Sequence, residues 1–334
     1  MPRYNPIYEH HRGEYEMDKL KIAVFDPNGF KFTMDMIHHW ESLGHEVKYE
    51  FYYNPELVEW ADVVWFETCD NSLYRATVNE RADWQLSYFK DKHVICRPID
   101  IDVWSRHYLR VDWSMVDDII FIAEHIKAEV DRDIPNVGSR AVVIPCGVNT
   151  ELFPFRDKPK GKNVAWVAHR WDAKGIDYFL QYAAMLYKKD PEYKIHALGT
   201  WSDGIKSGWY RQYIDYFLRH NPTNIEFTEH VDNVNEFLED MDYTTCFSKK
   251  EGFSYAIAEG MSKGLKPIIH NFYGCDKIWP DKYVWNTVDE AVEMTLSDDF
   301  NPQEYNQFIK DNYTVEKMLK SFDNIIERRL NESR

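Results

Sequence analysis

The chain has 334 residues, 44% of them hydrophobic and 29% charged, which excludes global disorder and exceeds the length that one hydrophobic core usually serves. With 40 basic and 56 acidic side chains the net charge is −16, which argues against non-specific attraction to nucleic acid or to an anionic membrane. Five scattered cysteines with no CxxC pair exclude a disulfide framework and a zinc site, and fit a reducing, cytoplasmic compartment.

Residues 1–18, "MPRYNPIYEHHRGEYEMD", are polar, lack the apolar centre of a signal peptide, and read as a mobile leader. The folded part is predicted to begin at "LKIAVFD" (20–26), a strand ending in the turn "PNG". Phe32, Met36, Trp40 and Leu43 then recur at helical spacing, with Gly44 as the stop before a second strand, "HEVKYEFY". A third strand, "ADVVWFE" (61–67), a helix over 77–90 and a fourth strand, "KHVICRP" (92–98), follow; "DDIIFIAE" and "RAVVIPCGV" supply two more. Strands alternating with helices at this spacing predict a parallel sheet covered on both faces.

"LFPFRDKPKGKN" (152–163) has no periodicity and reads as an interdomain linker. After it the pattern restarts: "VAWVAH", a helix from about 174 to 188, "YKIHALG", another helix, "NIEFTEH", a helix near 233–240, "YTTCFS", then "EGFSYAIAEGMSKG" and "KPIIHN". The last segment, 314–330, carries Val315, Met318, Phe322 and Ile325 in helical register and needs an apolar surface to lie on. The predicted organisation is a leader (1–18), two doubly wound α/β domains (19–150 and 151–312) facing each other across a cleft, and a C-terminal helix (313–334). Ligands of such sheets bind beyond the carboxyl ends of the strands, so motifs that follow strands matter most.

Glu251 and Glu259 lie eight positions apart on either side of a predicted helix start. Backbone N–H groups around Gly252, Phe253 and Ser254 would favour an anion such as a diphosphate, and a carboxylate inside the helix suits paired ribose hydroxyls. The alternative is a Glu251 that merely favours the helix N-terminus and an exposed Glu259. "HRWDAKG" (169–175) follows a strand and offers Arg170 and Lys174 as cations for a leaving diphosphate; a solvated loop is its bland counterpart. Gly147 in "VIPCGVNTELF" allows a tight turn between the domains. "DPNGF" (26–30) has one glycine rather than GxGxxG, so Asn28 and Gly29 are a turn first and an acceptor contact second. The Asp-x-Asp pairs at 100–102, 131–133 and 240–242 are as many as chance gives in so acidic a chain, and the 13 histidines show no metal spacing.

Together these stretches resemble the retaining, nucleotide-sugar-dependent glycosyltransferases of the GT-B fold, the large group 1 family that includes sucrose and glycogen synthases. "EGFSYAIAEGMSKG" is similar to the family's E-x7-E segment, "VIPCGVNTELFP" to its VIPNGVD-x-x-x-F, and "VAWVAHRWDAKGIDYFL" to its VGR-x-x-x-x-KG. "YKIHALG", "NIEFTEHV" and "KPIIHNFYGCDKI" fall in the expected order, and the C-terminal half matches nearly end to end.

The resemblance implies two Rossmann-like domains: an N-terminal one for the acceptor, and a C-terminal one for the nucleotide sugar. It makes Glu259 the ribose ligand, Glu251 the donor-sugar ligand, Arg170 and Lys174 the cations on the diphosphate, and Gly252, Phe253 and Ser254 the anion-binding helix start. His169 stands where the family has glycine, and Ser254 where it has another, which implies either a differently placed phosphate loop or a donor contact by His169. On the N-terminal side the family's histidine after the fourth strand has no obvious counterpart; Arg97, Asp100 and His107 are offered, with Asp100 and His107 joining Asn28 and Gly29 as acceptor-side residues. The implied activity is retaining transfer from a nucleotide-diphosphate sugar to a saccharide or glycoconjugate, with no metal or other cofactor. A non-catalytic nucleotide-sugar or glycan-binding partner subunit and a sugar-nucleotide epimerase are the competing classes. DNA glucosylation also uses this fold, but the charge of −16 makes a duplex acceptor unattractive.

Overall fold

The structure is a computed structural model that describes residues 19–30, 33–69, 71–77, 89–206 and 208–332. The expected leader lies outside them, and so does most of the helix expected over 77–90. The chain divides into two compact units: one ends at Cys146 and regains the segment from Val315 onward, and the other is Gly147–Thr314. The divisions thus fall at 146/147 and 314/315 rather than at 150 and 312.

In the first unit the strands β1 (Lys21–Phe25), β2 (Glu46–Glu50), β3 (Val63–Glu67), β4 (His93–Arg97), β5 (Asp118–Phe121) and β6 (Val142–Val143) form a parallel sheet in the order β2-β1-β3-β4-β5-β6. Every residue of β3 and β4 is buried, as continuous apolar strands covered on both faces must be, whereas edge strand β2 is charged and largely exposed. β6 has only two residues, shorter than "RAVVIPCGV" suggested, because Pro145 has no N–H to continue the ladder.

The last helix, Val315–Glu332, buries Val315, Met318, Leu319, Phe322, Ile325 and Ile326 in the core of this unit, against Ile22, Trp40 and Trp65. Trp65 lies edge-on to both Trp40 and Phe322, with ring centroids 5.5 and 4.9 Å apart. At the carboxyl ends of β3 and β4 the buried pair Glu67–Arg97 closes at 2.5 Å, with Trp65 Nε1 donating to the second carboxylate oxygen. Arg97, offered above as an acceptor-side candidate, is 2% exposed and is held by this pair. Burial pushes the Glu67 carboxyl up to about 7 against the pull of that guanidinium.

The second unit contains β7 (Asn163–Val167), β8 (Lys194–Leu198), β9 (Ile225–Thr228), β10 (Tyr243–Cys246), β11 (Lys266–His270) and β12 (Val284–Trp285), parallel and ordered β12-β11-β10-β7-β8-β9. From β7 the chain winds outward through β8 and β9, then returns to β10 on the other side of β7. The winding direction therefore switches between β7 and β10, where the loops that follow these two strands diverge.

The segment expected as a linker (152–163) is instead bound to this unit. Lys160 Nζ donates to the carbonyls of Leu296 and Ser297 at the end of the helix Val288–Leu296, and Lys158 pairs with Asp242 at 3.0 Å. Its lysines suit helix C-terminal carbonyls and a buried carboxylate, so polar composition here marks anchoring rather than freedom. Among the described residues no helix is long and apolar enough to cross a membrane.

The helix Tyr255–Ser262 lies on β10 through Gly260: a Cβ there would sit 2.5 Å from Cβ of Thr244, a β-branched side chain on the strand. Gly260→Ala is therefore expected to destabilise the protein by about 2 kcal/mol through overpacking, read as a lower thermal midpoint. An unchanged midpoint would mean that the helix can lift from the strand at no cost.

Candidate functional site

The loops after β7 (168–175) and β10 (247–254) meet at the switch point of the second sheet. Their contact depends on Gly175, whose φ of +69° is left-handed and whose ideal Cβ would lie 1.9 Å from the Phe247 carbonyl oxygen. Only a residue without a side chain lets the two backbones approach so closely. The backbone then closes the junction, with Lys249 N–H donating to the Ala173 carbonyl at 2.8 Å. Lys249 Nζ adds ion pairs to Asp172 (2.8 Å) and Asp177 (3.2 Å), one before and one after Gly175.

This junction brings Lys174 and Glu251 together. Lys174 Nζ donates to Glu251 Oε1 at 2.5 Å, and Ser248 Oγ donates to the same oxygen at 2.6 Å. Glu251 is 6% exposed and Lys174 half-buried. His270 fixes the loop from behind: its Nδ1–H donates to the Ser248 carbonyl at 2.8 Å, and its ring lies against Trp285 and Tyr178. Burial lowers the His270 pKa, keeping the ring neutral in this role. Ser248, Lys249 and His270 escaped the sequence analysis. The first two sit beside Glu251, and a search of that loop for donors would have found them; His270 carries no local signal.

Ser254 caps the helix Tyr255–Ser262 without a hydrogen bond from its own side chain to the first turn. Gly252, Phe253 and Ser254 are all buried. The Phe253 ring is stacked on Trp279 (centroids 5.6 Å) and set edge-on to Tyr255 and Tyr313. Its side chain thus anchors the loop within an aromatic cluster. Glu259, a turn into that helix, is half-buried, its carboxylate has no hydrogen bond or ion pair among the described residues, and burial alone pushes that carboxyl up to about 8. An unpartnered carboxyl of this kind suits hydroxyl donors from outside the chain.

Arg170 departs from expectation. It was predicted to project from its loop, yet it is 0% exposed, with Nη2 on the carbonyls of Ala197 (2.5 Å) and Thr228 (2.6 Å). Its guanidinium lies about 5 Å from the rings of Trp201 and Phe227, and burial pulls its pKa down to about 10. The reason is that strand pairing runs on past β7: Ala168 N–H and Arg170 N–H donate to the Leu198 and Thr200 carbonyls. Period-two alternation then turns Arg170 inward and His169 outward. His169 is exposed, with Nδ1 2.8 Å from Thr200 Oγ1. Nε and Nη1 of Arg170 meet no acceptor among the described residues.

The first-unit candidates separate into two places. Asn28 and Gly29 are exposed in a turn that Asp26 organises, its carboxylate accepting from Asn28 N–H and Thr33 Oγ at 2.8 Å each. Asp100 opens the short helix Asp100–Trp104 after β4, and His107 approaches Asp102 at 3.6 Å. Asp102 itself is buried, accepting from the N–H groups of Cys69 and Ile99, so this Asp-x-Asp pair ties two loops together. Asp133 and Asp242 of the other pairs are likewise engaged, by Tyr108 and by Asn163 with Lys158.

A family model described as "Glycosyl transferases group 1" matches residues 148–329, more than half of the chain. No curated protein sequence matches. Among solved structures, sucrose-phosphate synthase from Thermosynechococcus elongatus superposes with a TM-score of 0.71 at 14% identity, over 95% of this chain and 100% of that one. Anabaena Alr3699/HepE, solved with UDP-glucose, gives 0.70 at 11% identity over 92% and 100%. S. aureus TarM, solved with UDP among its ligands, gives 0.56 at 17% identity over 72% of this chain, which spans only 58% of that larger protein. At these identities the likeness shows the shared fold of two Rossmann-like domains. With the family match over the half that carries the Lys174–Glu251 junction, the chain belongs to the group 1 glycosyltransferases.

Proposed function

We propose that the protein transfers a sugar from a nucleotide-diphosphate sugar to a saccharide or glycoconjugate, with retention of configuration and without a metal. The observation that carries this reading is the contact of Lys174 with Glu251 at the switch point of the second sheet, in the loop that leads into the helix Tyr255–Ser262. Glu259 accepts the paired ribose hydroxyls and Glu251 accepts hydroxyls of the donor sugar. Lys174 and the N-terminus of the helix Tyr255–Ser262 take the diphosphate. His169, exposed on the outer side of its loop, is a further donor contact in this reading.

In the reaction the bond between the anomeric carbon and the phosphate oxygen breaks, and the diphosphate leaves with the electron pair. Lys174 and the helix start stabilise the charge that develops on it, which is the role a metal would otherwise fill. The acceptor hydroxyl forms the new bond on the same face, and its proton passes to the departing phosphate oxygen. Retention rests on the resemblance carried by the E-x7-E spacing. On the acceptor side the reading uses Asn28, Gly29, Asp100 and His107. The UDP present in the HepE and TarM structures makes uridine diphosphate the first nucleotide to test.

A second reading, nucleotide-sugar binding without turnover, draws on the inward-turned Arg170. The two separate when UDP-, GDP-, ADP- and TDP-sugars are incubated with the protein in EDTA and followed by proton NMR. Transferase activity predicts release of one nucleoside diphosphate and an anomeric signal of the donor's own configuration. Binding of a nucleotide with no turnover of any donor and acceptor pair would favour the partner subunit, and an inverted anomer would remove retention.

A further inference from the structure

The first unit carries an open concavity of about 510 Å³ at the carboxyl ends of β1 and β2, next to the Asn28–Gly29 turn. Its wall is aromatic. Tyr49, Phe51 and Tyr52 are 45%, 52% and 62% exposed, although nothing in the core requires large rings there. Phe30, by contrast, is buried between two of them, its ring 4.9 Å from Tyr49 and 5.0 Å from Phe51, each at a steep angle. It is held there by a left-handed backbone (φ +62°) that a phenylalanine rarely adopts. Polar groups sit on the same rim. Asn54 Nδ2 donates to Glu50 Oε1 at 3.0 Å, which leaves Oε2 of that exposed carboxylate with no partner among the described residues.

We propose that this concavity is an acceptor subsite that holds a neutral pyranose ring of a glycan, by contact with Phe51 and Tyr52 and by hydroxyl donation to Glu50. The inference rests on the transferase reading and names the substrate class on its acceptor side. A pyranose presents an apolar C–H face and a rim of hydroxyls, which matches rings beside one unsatisfied carboxylate. Among the described residues the wall carries no cation and Glu50 is its one charged group, which disfavours phosphate, acidic sugars and an anionic lipid surface alike. The place is also right: ligands of parallel sheets bind beyond the carboxyl ends of the strands.

The test is an array of immobilised neutral and acidic oligosaccharides probed with the full-length protein, followed by titration of the strongest neutral ligand. Retention of neutral glycans is expected, with affinity at least 10-fold lower for Phe51→Ala/Tyr52→Ala and several-fold lower for Glu50→Gln. Both rings are exposed, so the double variant should fold, and its UDP titration checks that it has. No neutral glycan retained, or undiminished affinity in the variants, overturns the proposal. So does binding to phosphatidylglycerol vesicles, or a concentration-dependent dimer, that the double variant abolishes in place of glycan binding. Nucleotide binding without glycan binding refutes this subsite alone, whereas loss of both refutes the transferase reading.

Discussion

Alanine in place of Lys174 is expected to lower kcat about 1,000-fold, or about 4 kcal/mol, while KM for the donor changes far less. The charge on the diphosphate grows as the glycosidic bond breaks, so a cation at this point stabilises the transition state more than the bound donor. The side chain is set for this role by two contacts between its loop and the distant loop after β10. Gly175 lets the backbone turn against Phe247, and Lys249 ties the two loops together through Asp172 and Asp177. Loss of the ammonium also removes a donor from the buried Glu251 carboxylate, at a cost of about 1 kcal/mol, or about 2–4 °C in the thermal midpoint. Lys174→Arg should recover part of kcat. Steady-state kinetics on the best donor decides the matter: a kcat within 10-fold of wild type in Lys174→Ala would remove this lysine from the chemistry.

Glu259→Ala is expected to weaken nucleoside diphosphate binding about 100-fold, or about 2.7 kcal/mol, which is the scale of two hydrogen bonds to a charged acceptor. The carboxyl titrates near 4.5 in a model peptide and about 8 in the folded protein, because burial disfavours its charge. Its contribution to stability is therefore complete below pH 4.5 and is lost as pH rises towards 8, with the fold holding a proton that the unfolded chain would release. Ribose hydroxyls donate only to lone pairs and favour the ionised form, so binding expels this proton. Affinity should accordingly rise with pH up to about 8 and level off above it. Calorimetry at pH 7 in buffers of different ionisation heat measures the proton released, and Glu259→Gln should release none. That variant should also melt above wild type at pH 8 and with it at pH 5. Equal proton release by wild type and Glu259→Gln would refute the role.

Much of the architecture was legible because buried parallel strands are short, apolar and separated by helices of the matching period. "ADVVWFE", "KHVICRP" and "VAWVAH" each give a strand where that pattern says one should be. The final helix declared its need for a partner through Val315, Met318, Phe322 and Ile325, and the first unit supplies it. Side-chain direction was less legible. Arg170 looked like a loop residue because nothing in "HRWDAKG" reveals that strand pairing with residues 198–200 continues through it. The place of the Phe253 ring was not legible either: it belongs to a cluster with Trp279 and Tyr313 that lie far along the chain. The segment 152–163 read as a linker because the acceptors of its lysines, Leu296, Ser297 and Asp242, come from distant segments.

What the sequence by itself determined is the set of local patterns: two runs of alternating strands and helices, glycines at the tight turns, and carboxylates at fixed spacing about a helix start. Local propensity and hydrophobic period act over a few residues, so they are written in the order of the residues. What only the tertiary structure decided is which groups meet. Lys174 reaches Glu251 because β10 lies beside β7, and the Glu259 carboxyl is buried where none of the described residues donates to it. Both depend on strand order, and strand order is set by the burial of all the apolar faces at once.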